Sequence, residues 1–232
     1  MSSFTFKQFH INQQHCAMKV GTDGILLGAW ADVSDCQRIL DMGTGSGLVA
    51  LMLAQRSHEH CQIEAVELDP LAAQQAQENF GASPWHNRLH LTHQDVQTYC
   101  QQTAHQFDLI VANPPYFSQG VECKNDERAL ARYVQQSHLD WLNWAASCLS
   151  EKGKISFVLP YEAGKTLINS TALYCIKQTD VITKTEKAPQ RMLLTFSREH
   201  LPQVKDSLVI YNENNQYTEE FIALAKTFYL KM

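Results

Sequence analysis

Residues 38–47 of the chain read RILDMGTGSG, and this stretch decides the fold. A short apolar run that ends in a glycine-rich turn predicts a buried strand, and the apolar residues after the turn predict a helix. Gly43, Gly45 and Gly47 allow the backbone to turn sharply and to approach a ligand closely. Their G-x-G-x-G spacing differs from the G-x-G-x-x-G of dinucleotide-binding folds, and no Gly-Lys pair of a phosphate-binding loop follows. The turn therefore favours a ligand with a carboxylate or an ammonium group over a pyrophosphate.

Short apolar runs alternate with amphipathic segments along the rest of the chain. Further strands are predicted at residues 62–68, 88–93, 107–112 and 154–159. This alternation predicts an α/β fold, with a doubly wound, mostly parallel sheet and helices on both of its faces. Residues 173–184 and 191–198 predict two closing strands, with a turn at Pro189 and an antiparallel hairpin at one edge of the sheet. We expect residues 1–232 to form a single domain.

The composition narrows the class of protein. Of 232 residues, 44% are hydrophobic and 19% are charged, which is typical of a globular domain. The absence of a long apolar run and of an apolar segment after the first methionine predicts a cytoplasmic protein with no membrane association. Seven scattered cysteines without a C-x-x-C pair argue against disulfides and a zinc site, so no metal is expected. A net charge of −5 means that a nucleic-acid partner would require a local basic surface.

Acidic residues follow the second and third predicted strands. Glu67 and Leu68 end one strand, and Asp95 and Val96 follow the next. Because parallel strands bind ligands at their carboxyl ends, these residues and the glycine turn are expected to share one pocket. A carboxylate about 20 residues after the last glycine can accept two ribose hydroxyls, and Asp95 can accept from an adenine amino group. The alternative is a βα turn without a ligand, and the two acids make it the weaker interpretation.

The fourth predicted strand ends in Asn113, Pro114, Pro115 and Tyr116. Two consecutive prolines cannot continue a ladder, and they fix the local backbone. An exocyclic amino nitrogen on a planar ring is a poor nucleophile, because its lone pair is delocalised. The Asn113 side-chain oxygen and the Pro114 carbonyl would accept its two N–H groups and direct the lone pair towards a methyl sulfonium. Tyr116 offers a ring on which a flipped base can stack; the alternative is a proline turn that only ends a strand.

Together these residues resemble the class I methyltransferases of the N-P-P-Y type, which use S-adenosylmethionine and have a seven-stranded sheet whose last strand is antiparallel. Three segments are also similar to the bacterial family that methylates the adenosine beside the anticodon of a valine tRNA: FTFKQF at 4–9, CAMKVGTDGILLGAW at 16–30 and APQR at 188–191. The resemblance runs through nearly the whole chain. Residues 13–15, QQH, depart from it, since an acidic residue or an arginine is expected there.

The resemblance implies a tRNA N6-adenine methyltransferase with S-adenosylmethionine as its donor. It implies that the methionine part of the cofactor lies against Asp41, Gly43, Gly45 and Gly47, the ribose against Glu67 and Leu68, and the adenine against Asp95 and Val96. Residues 1–37 would pack over the cofactor side, with Lys19, Gly21 and Asp23 as further candidate contacts. Candidate RNA contacts are Lys184, Lys187 and Arg191. We expect a monomer that acts on tRNA and not on DNA.

Other functions remain open at this point. The target could be another planar nitrogen, in a release-factor glutamine, a DNA base or a ribosomal RNA base. Glutamine-modifying relatives carry a helical domain before the glycine turn, for which about 38 residues leave too little room. DNA-modifying enzymes add a recognition domain, whereas the roughly 115 residues after Tyr116 are largely used to complete the sheet. A non-catalytic RNA-binding protein would be expected to lose the turn glycines or the N-P-P-Y residues, and all are present.

Overall fold

The computed structural model of the protein describes residues 3–16, 19–115 and 137–232. The strands in these ranges are β1 (Ser3–Thr5), β2 (His10–Asn12), β3 (Arg38–Met42), β4 (Gln62–Glu67), β5 (Leu89–His93), β6 (Phe107–Ala112), β7 (Leu149–Pro160), β8 (Tyr174–Lys184), β9 (Arg191–Ser197) and β10 (Val204–Tyr211). The helices are α1 (Thr22–Trp30), α2 (Leu48–Arg56), α3 (Pro70–Gly81), α4 (Val96–Gln102), α5 (His138–Ser147), α6 (Tyr161–Ser170) and α7 (Glu219–Ala225).

Eight of these strands form one sheet, in the order β10-β8-β9-β7-β6-β3-β4-β5. Strands β7, β6, β3, β4 and β5 are parallel to their neighbours in this run, and β9 is antiparallel to both β7 and β8. The predicted α/β fold with a doubly wound, mostly parallel sheet is therefore confirmed. The seventh strand of the sheet in chain order, β9, is the antiparallel one, as the resemblance implies.

The sheet also has an eighth strand that the sequence analysis did not predict. Strand β10 pairs in parallel with the outer side of β8, so the β8–β9 hairpin is not at the sheet edge, where it was expected. The first four residues of β10, Val204–Ser207, are exposed, and only its second half contributes buried apolar side chains. The strand was missed because half of it has no apolar alternation and because its pairing partner lies far away in the sequence.

Helices cover both faces of the sheet because its central strands are apolar on both faces. One core cluster contains Ile39 of β3 with side chains from α1, α2, α3 and α7. The other contains Leu40, the next residue of β3, with side chains from α4, α5 and α6. Successive residues of a strand point to opposite faces, so one short apolar strand contributes to both layers. None of the helices in the described part of the chain has the length and apolar character needed to cross a bilayer.

A two-stranded antiparallel ribbon, β1–β2, packs on the α3 and α7 side of the sheet. Phe6 and Phe9, in the turn between its two strands, are buried and stack with ring centroids 4.5 Å apart. The buried Asn79 of α3 joins the ribbon to the glycine turn. Its Oδ1 accepts from Asn12 N at 3.0 Å, and its Nδ2 donates to Asn12 O and to Ser46 O, both at 2.8 Å. The ribbon is thereby fixed relative to the glycine turn.

Candidate active site

A cavity of about 410 Å³ opens at the carboxyl ends of the central strands. Its walls come from four places in the sequence: the segment before and within α1, the glycine turn, the end of β6, and the ends of β8, β9 and β10. The lining residues include Lys19, Gly21, Asp23, Asp41, Gly43, Gly45, Asn113, Thr183, Gln190, Arg191 and Tyr211. Eight of these eleven were candidate site residues from sequence, and Thr183, Gln190 and Tyr211 were not.

The glycine turn has the left-handed backbone that its composition predicts. The φ angles of Gly43, Gly45 and Gly47 are 70°, 58° and 84°. A Cβ on Gly47 would lie 2.5 Å from the Phe80 ring, whereas a Cβ on Gly45 would meet no atom within 4 Å in the described structure. Gly47 is therefore required by packing against the protein itself. Gly45 faces open space in the cavity, where a ligand can approach the backbone.

Asp41 lies beneath this turn and is almost completely buried. Its Oδ2 accepts from Thr44 Oγ1 at 2.6 Å and from Ala50 N at 3.1 Å. Burial raises the pKa of Asp41 to about 7, although both hydrogen bonds act in the opposite direction. This carboxyl connects β3 to the first turn of α2, so it stabilises the turn in addition to lining the cavity.

The carboxylate of Glu67 also holds the glycine turn. Its Oε2 accepts from Gly45 N at 2.8 Å, and its Oε1 accepts from Leu68 N and Asp69 N, both at 2.9 Å. The sequence analysis placed Glu67 beside a ribose and did not anticipate these three bonds. The signal for them was not available locally, because Gly45 and Glu67 are 22 residues apart and come together only when β3 pairs with β4.

Asp95 is the N-cap of α4, and its Oδ1 accepts from Thr98 N at 3.0 Å. The neighbouring Val96 is buried in the core. In the described part of the chain, the residues that line the 410 Å³ cavity do not include Gly47, Glu67, Leu68, Asp95 or Val96. Glu67 and Leu68 at the end of β4, and Asp95 and Val96 after β5, are nevertheless at the strand ends where the sequence placed them.

Asn113 stands directly after β6 and lines the cavity. Its Oδ1 atom is buried, and it has no hydrogen-bond partner among the described residues. Pro114 is buried and Pro115 is half-buried, while Tyr116 lies outside the described residues. A buried amide oxygen without a partner is unfavourable by about 1–3 kcal/mol, and such groups often mark a position reserved for a ligand.

Two residues of α5 that the sequence analysis did not consider fix the surroundings of this position. The His138 imidazole hydrogen-bonds the backbone of Pro115, and burial lowers the pKa of His138, which favours the neutral ring. Since proline has no N–H, the ring is the donor and the Pro115 carbonyl is the acceptor. The buried Trp141 ring packs against Gly43, where a Cβ would lie 3.0 Å from its Cη2. Helix α5 thus braces both the diproline segment and the glycine turn.

The segment before α1 is tied down by its own hydrogen bonds. Lys19 Nζ donates to Gln13 O at 2.5 Å and to Cys16 O at 3.0 Å, and Gln13 Oε1 accepts from Val20 N at 2.5 Å. Gln13 is buried. The glutamine at this position, which departs from the expected acidic residue or arginine, therefore serves as an internal brace. Gly21 is the N-cap of α1, with extended backbone.

The candidate basic residues fall in two different places. Arg191 lines the cavity and pairs with Asp23 across it, with Nε and Oδ2 2.9 Å apart. Lys184 donates from Nζ to Asn215 Oδ1 at 2.8 Å, and Lys187 is exposed on the turn between β8 and β9. The sequence analysis placed Asp23 with the cofactor and Arg191 with the RNA, and the structure brings the two side chains together.

Comparisons with known proteins agree with this geometry. Residues 19–187 match the family described as the methyltransferase small domain. The chain is 69% identical over 231 residues to the tRNA1(Val) (adenine(37)-N6)-methyltransferase of Haemophilus influenzae strain PittEE, with 100% of both chains covered. The chain belongs to this methyltransferase family. A relative with the same name from Pasteurella multocida strain Pm70 is 61% identical over 230 residues, which cover 99% of this chain and 97% of the relative.

Membership of the family confirms the prediction of a methyltransferase that uses S-adenosylmethionine. A solved structure described as a predicted O-methyltransferase from Agrobacterium tumefaciens has a TM-score of 0.70 at 18% identity. The similarity covers 89% of this chain and 96% of that one. At this identity the likeness shows a shared fold and does not identify the substrate.

Proposed function

We propose that this protein transfers the methyl group of S-adenosylmethionine to the N6 amino group of an adenine in tRNA, at the adenosine beside the anticodon of a valine tRNA. One observation carries the proposal: Asn113 Oδ1 is buried against the cavity without a partner in the described structure. An exocyclic amino group supplies the missing donor. The names of the full-length relatives support tRNA adenine over a glutamine, a DNA base or a ribosomal RNA base.

In this mechanism Asn113 Oδ1 accepts one N–H of the adenine amino group, and the Pro114 carbonyl accepts the other. Both acceptors concentrate the nitrogen lone pair on the side away from them and stabilise the positive charge that develops on nitrogen. S-adenosylmethionine supplies an electrophilic methyl group on a sulfonium. The diproline segment and its bond from His138 hold the acceptors in place before the substrate arrives, which reduces reorganisation. The amino group can lose its proton after transfer, so no dedicated base is needed.

The chain fits the cofactor at the glycine turn, because the space above Gly45 is open and its backbone is left-handed. Asp41, Gly43 and Gly45 would then hold the methionine part, with Gly47 keeping the turn in shape. The ribose would lie near Glu67 and Leu68, and the adenine near Asp95 and Val96. Lys19, Gly21 and Asp23 would complete the site from the α1 side. No metal is assigned a role.

The remaining parts of the proposal concern the protein as a whole. Residues 1–232 act as one domain in which residues 1–37 cover the cofactor side. The protein works as a monomer in the cytoplasm, where tRNA is found, and it does not modify DNA. Pro115 and Tyr116 shape the pocket for the flipped base, and Lys184, Lys187 and Arg191 contribute the local positive charge for RNA. The pairing of Arg191 with Asp23 reduces its share of that charge.

Nucleoside mass spectrometry of tRNA tests this function. Total tRNA from cells that lack the protein should have lost N6-methyladenosine from a valine tRNA, and the purified protein with S-adenosylmethionine should restore it. Matched reactions with DNA, with ribosomal RNA and with release factor serve as controls. Methylation of one of these acceptors and not of tRNA would refute the proposed substrate.

A further inference from the structure

The cavity does not end at Asn113. It continues across the sheet to Thr183 on β8, Gln190 before β9 and Tyr211, the last residue of β10. Since β10 runs parallel to β8, Tyr211 lies at the same edge of the sheet as the other ligand-binding strand ends. The eighth strand therefore adds an aromatic side chain to the cavity.

Tyr211 and Asn113 stand at strand ends that are four strand spacings apart in the sheet. Asn113 follows β6, and strands β7, β9 and β8 lie between β6 and β10. Four strand spacings correspond to about 19 Å, which is several times the width of a purine ring. A ligand that contacts both ends of the cavity must therefore be longer than one base.

The Tyr211 ring is held rigidly. It stacks on Tyr217 with ring centroids 4.9 Å apart and an interplanar angle of 22°, and the two hydroxyl oxygens are 3.4 Å apart. The bond between the hydroxyls raises the pKa of Tyr217 to about 12. The backbone carbonyl of Tyr211 accepts from Thr185 N at 3.0 Å, which joins the end of β10 to the turn after β8. A preorganised, half-buried aromatic ring of this kind binds a planar ligand with little loss of side-chain entropy.

Charge does not dominate this end of the cavity. Lys184 ends β8 and Lys187 lies on the turn after it, but Glu186 lies between them and Glu213 lies on the turn after β10. Positive and negative side chains are thus balanced near Tyr211. The feature that distinguishes this end is the aromatic ring, and single-stranded nucleic acids are commonly held by stacking on such rings.

We propose that Tyr211 is a stacking platform for one unpaired nucleobase adjacent to the target adenosine in the RNA. The inference rests on the proposed function, because it assigns the second end of the same cavity to the same RNA strand. The subsite takes the base next to the methylated one and, because stacking tolerates any base, contributes affinity and orientation more than sequence preference.

Steady-state kinetics on an unmodified anticodon stem-loop test the platform. Tyr211→Ala should raise KM for the RNA by about 10- to 100-fold, the range measured for one stacked base, and leave the affinity for S-adenosylhomocysteine within twofold of wild type. Tyr211→Phe should remain close to wild type. Tyr174→Ala is the matched control, since Tyr174 is an exposed tyrosine at the opposite end of β8, in edge-to-face contact with His200, and should change nothing. If Tyr211→Ala does not fold, Tyr211→Leu keeps the apolar bulk without the aromatic face.

Abasic substrates give a readout that a structural role of Tyr211 would not produce. Removing the base on one side of the target adenosine should weaken the wild-type reaction by the same factor as Tyr211→Ala, and the two changes together should be no worse than either alone. Removing the base on the other side should be additive with the variant. The effect of Tyr211→Ala should also be less sensitive to salt than that of Lys187→Ala.

The inference is overturned if neither abasic substrate weakens the wild-type reaction, or if both are additive with the Tyr211 variant. Either result leaves the proposed function intact as long as the wild-type protein methylates the intact stem-loop. Failure of the wild-type protein to methylate any tRNA-derived substrate would instead refute the proposed function, and the inference with it.

Discussion

The ends of β4 and β6, which lie on either side of β3 in the sheet, differ in how their polar side chains are hydrogen-bonded. At the end of β4, the Glu67 carboxylate accepts three backbone N–H groups from its own chain. After β6, the buried Asn113 Oδ1 accepts none within the described residues. Both side chains stand at the same edge of the sheet, so the difference does not come from their position in the fold.

The contrast separates groups that build the site from the group that is kept for the substrate. A satisfied carboxylate fixes the backbone of the glycine turn and adds stability whether or not a ligand is bound. An unsatisfied buried oxygen lowers stability until a donor arrives, and the binding of that donor recovers the loss. Substitutions at Glu67 and in the glycine turn that it holds should therefore affect folding and cofactor affinity. Substitution of Asn113, after β6, should affect turnover.

The largest expected effect is on turnover in Asn113→Ala. Removing the acceptor should lower kcat about a thousandfold, the order seen when one group that stabilises transition-state charge is deleted. The affinity for S-adenosylhomocysteine, measured by calorimetry, should stay within twofold, and the midpoint of thermal unfolding should not fall. A variant that methylates at the wild-type rate would show that Asn113 does not hold the amino group.

The next effect is on stability in Gly47→Ala. The added Cβ would lie 2.5 Å from the Phe80 ring at a φ of 84°, so the clash and the left-handed backbone together should lower the free energy of unfolding by about 3 kcal/mol. Gly45→Ala is the matched control, with a φ of 58° and no atom of the described residues within 4 Å of the added Cβ. It should lose about 1 kcal/mol, from backbone strain alone, but weaken cofactor binding. Equal loss of stability in both variants, in urea unfolding, would contradict this assignment.

Glu67→Ala should have a moderate effect on stability and on cofactor affinity. Loss of the acceptor for three backbone N–H groups should lower the free energy of unfolding by about 2 kcal/mol and weaken cofactor affinity before it changes kcat at saturation. Glu59→Ala provides the control, because Glu59 is exposed and its one ion pair among the described residues is with the equally exposed His60. If kcat fell while cofactor affinity stayed unchanged, Glu67 would act on turnover as Asn113 does, which would contradict a role in holding the glycine turn.

The smallest expected effect is a pH dependence at Asp41. Its pKa is raised in the folded protein from 3.8 to about 7, so the native state binds this proton more tightly than the unfolded state and wild-type stability falls as pH rises through this window. Asp41→Asn keeps the shape without the titration. Its stability relative to wild type should rise steadily from pH 4 to pH 7 and level off near pH 8, once Asp41 has ionised in the folded wild-type protein. A constant difference from pH 4 to pH 8 would mean that Asp41 does not titrate there.

Local motifs account for what the sequence could predict. The glycine turn and the Asn113-Pro114 pair are each a short run of consecutive residues. Each can be recognised from its own residues and from the strand that precedes it. The α/β alternation predicted the mostly parallel sheet for the same reason, and the antiparallel seventh strand was implied by the family resemblance. These motifs could therefore be located at their strand ends without knowledge of long-range contacts, while their roles stay predictions.

Features that depend on distant pairing could not be predicted in this way. The bond from Gly45 N to Glu67 spans 22 residues, and the Asp23–Arg191 pair spans 168. The position of Tyr211 in the cavity requires β10 to add to the sheet beside β8, and the polar first half of β10 gives no sign of it. Such contacts follow from the topology of the sheet, which no single segment encodes.

The most direct test of the account is a crystal structure of the protein with S-adenosylhomocysteine and an anticodon stem-loop that carries the target adenosine. We expect the N6 atom of that adenosine about 3 Å from Asn113 Oδ1, with Glu67 still hydrogen-bonded to the backbone of the glycine turn. An N6 atom held by another group, or an Asn113 side chain turned into a bond with its own protein, would contradict it.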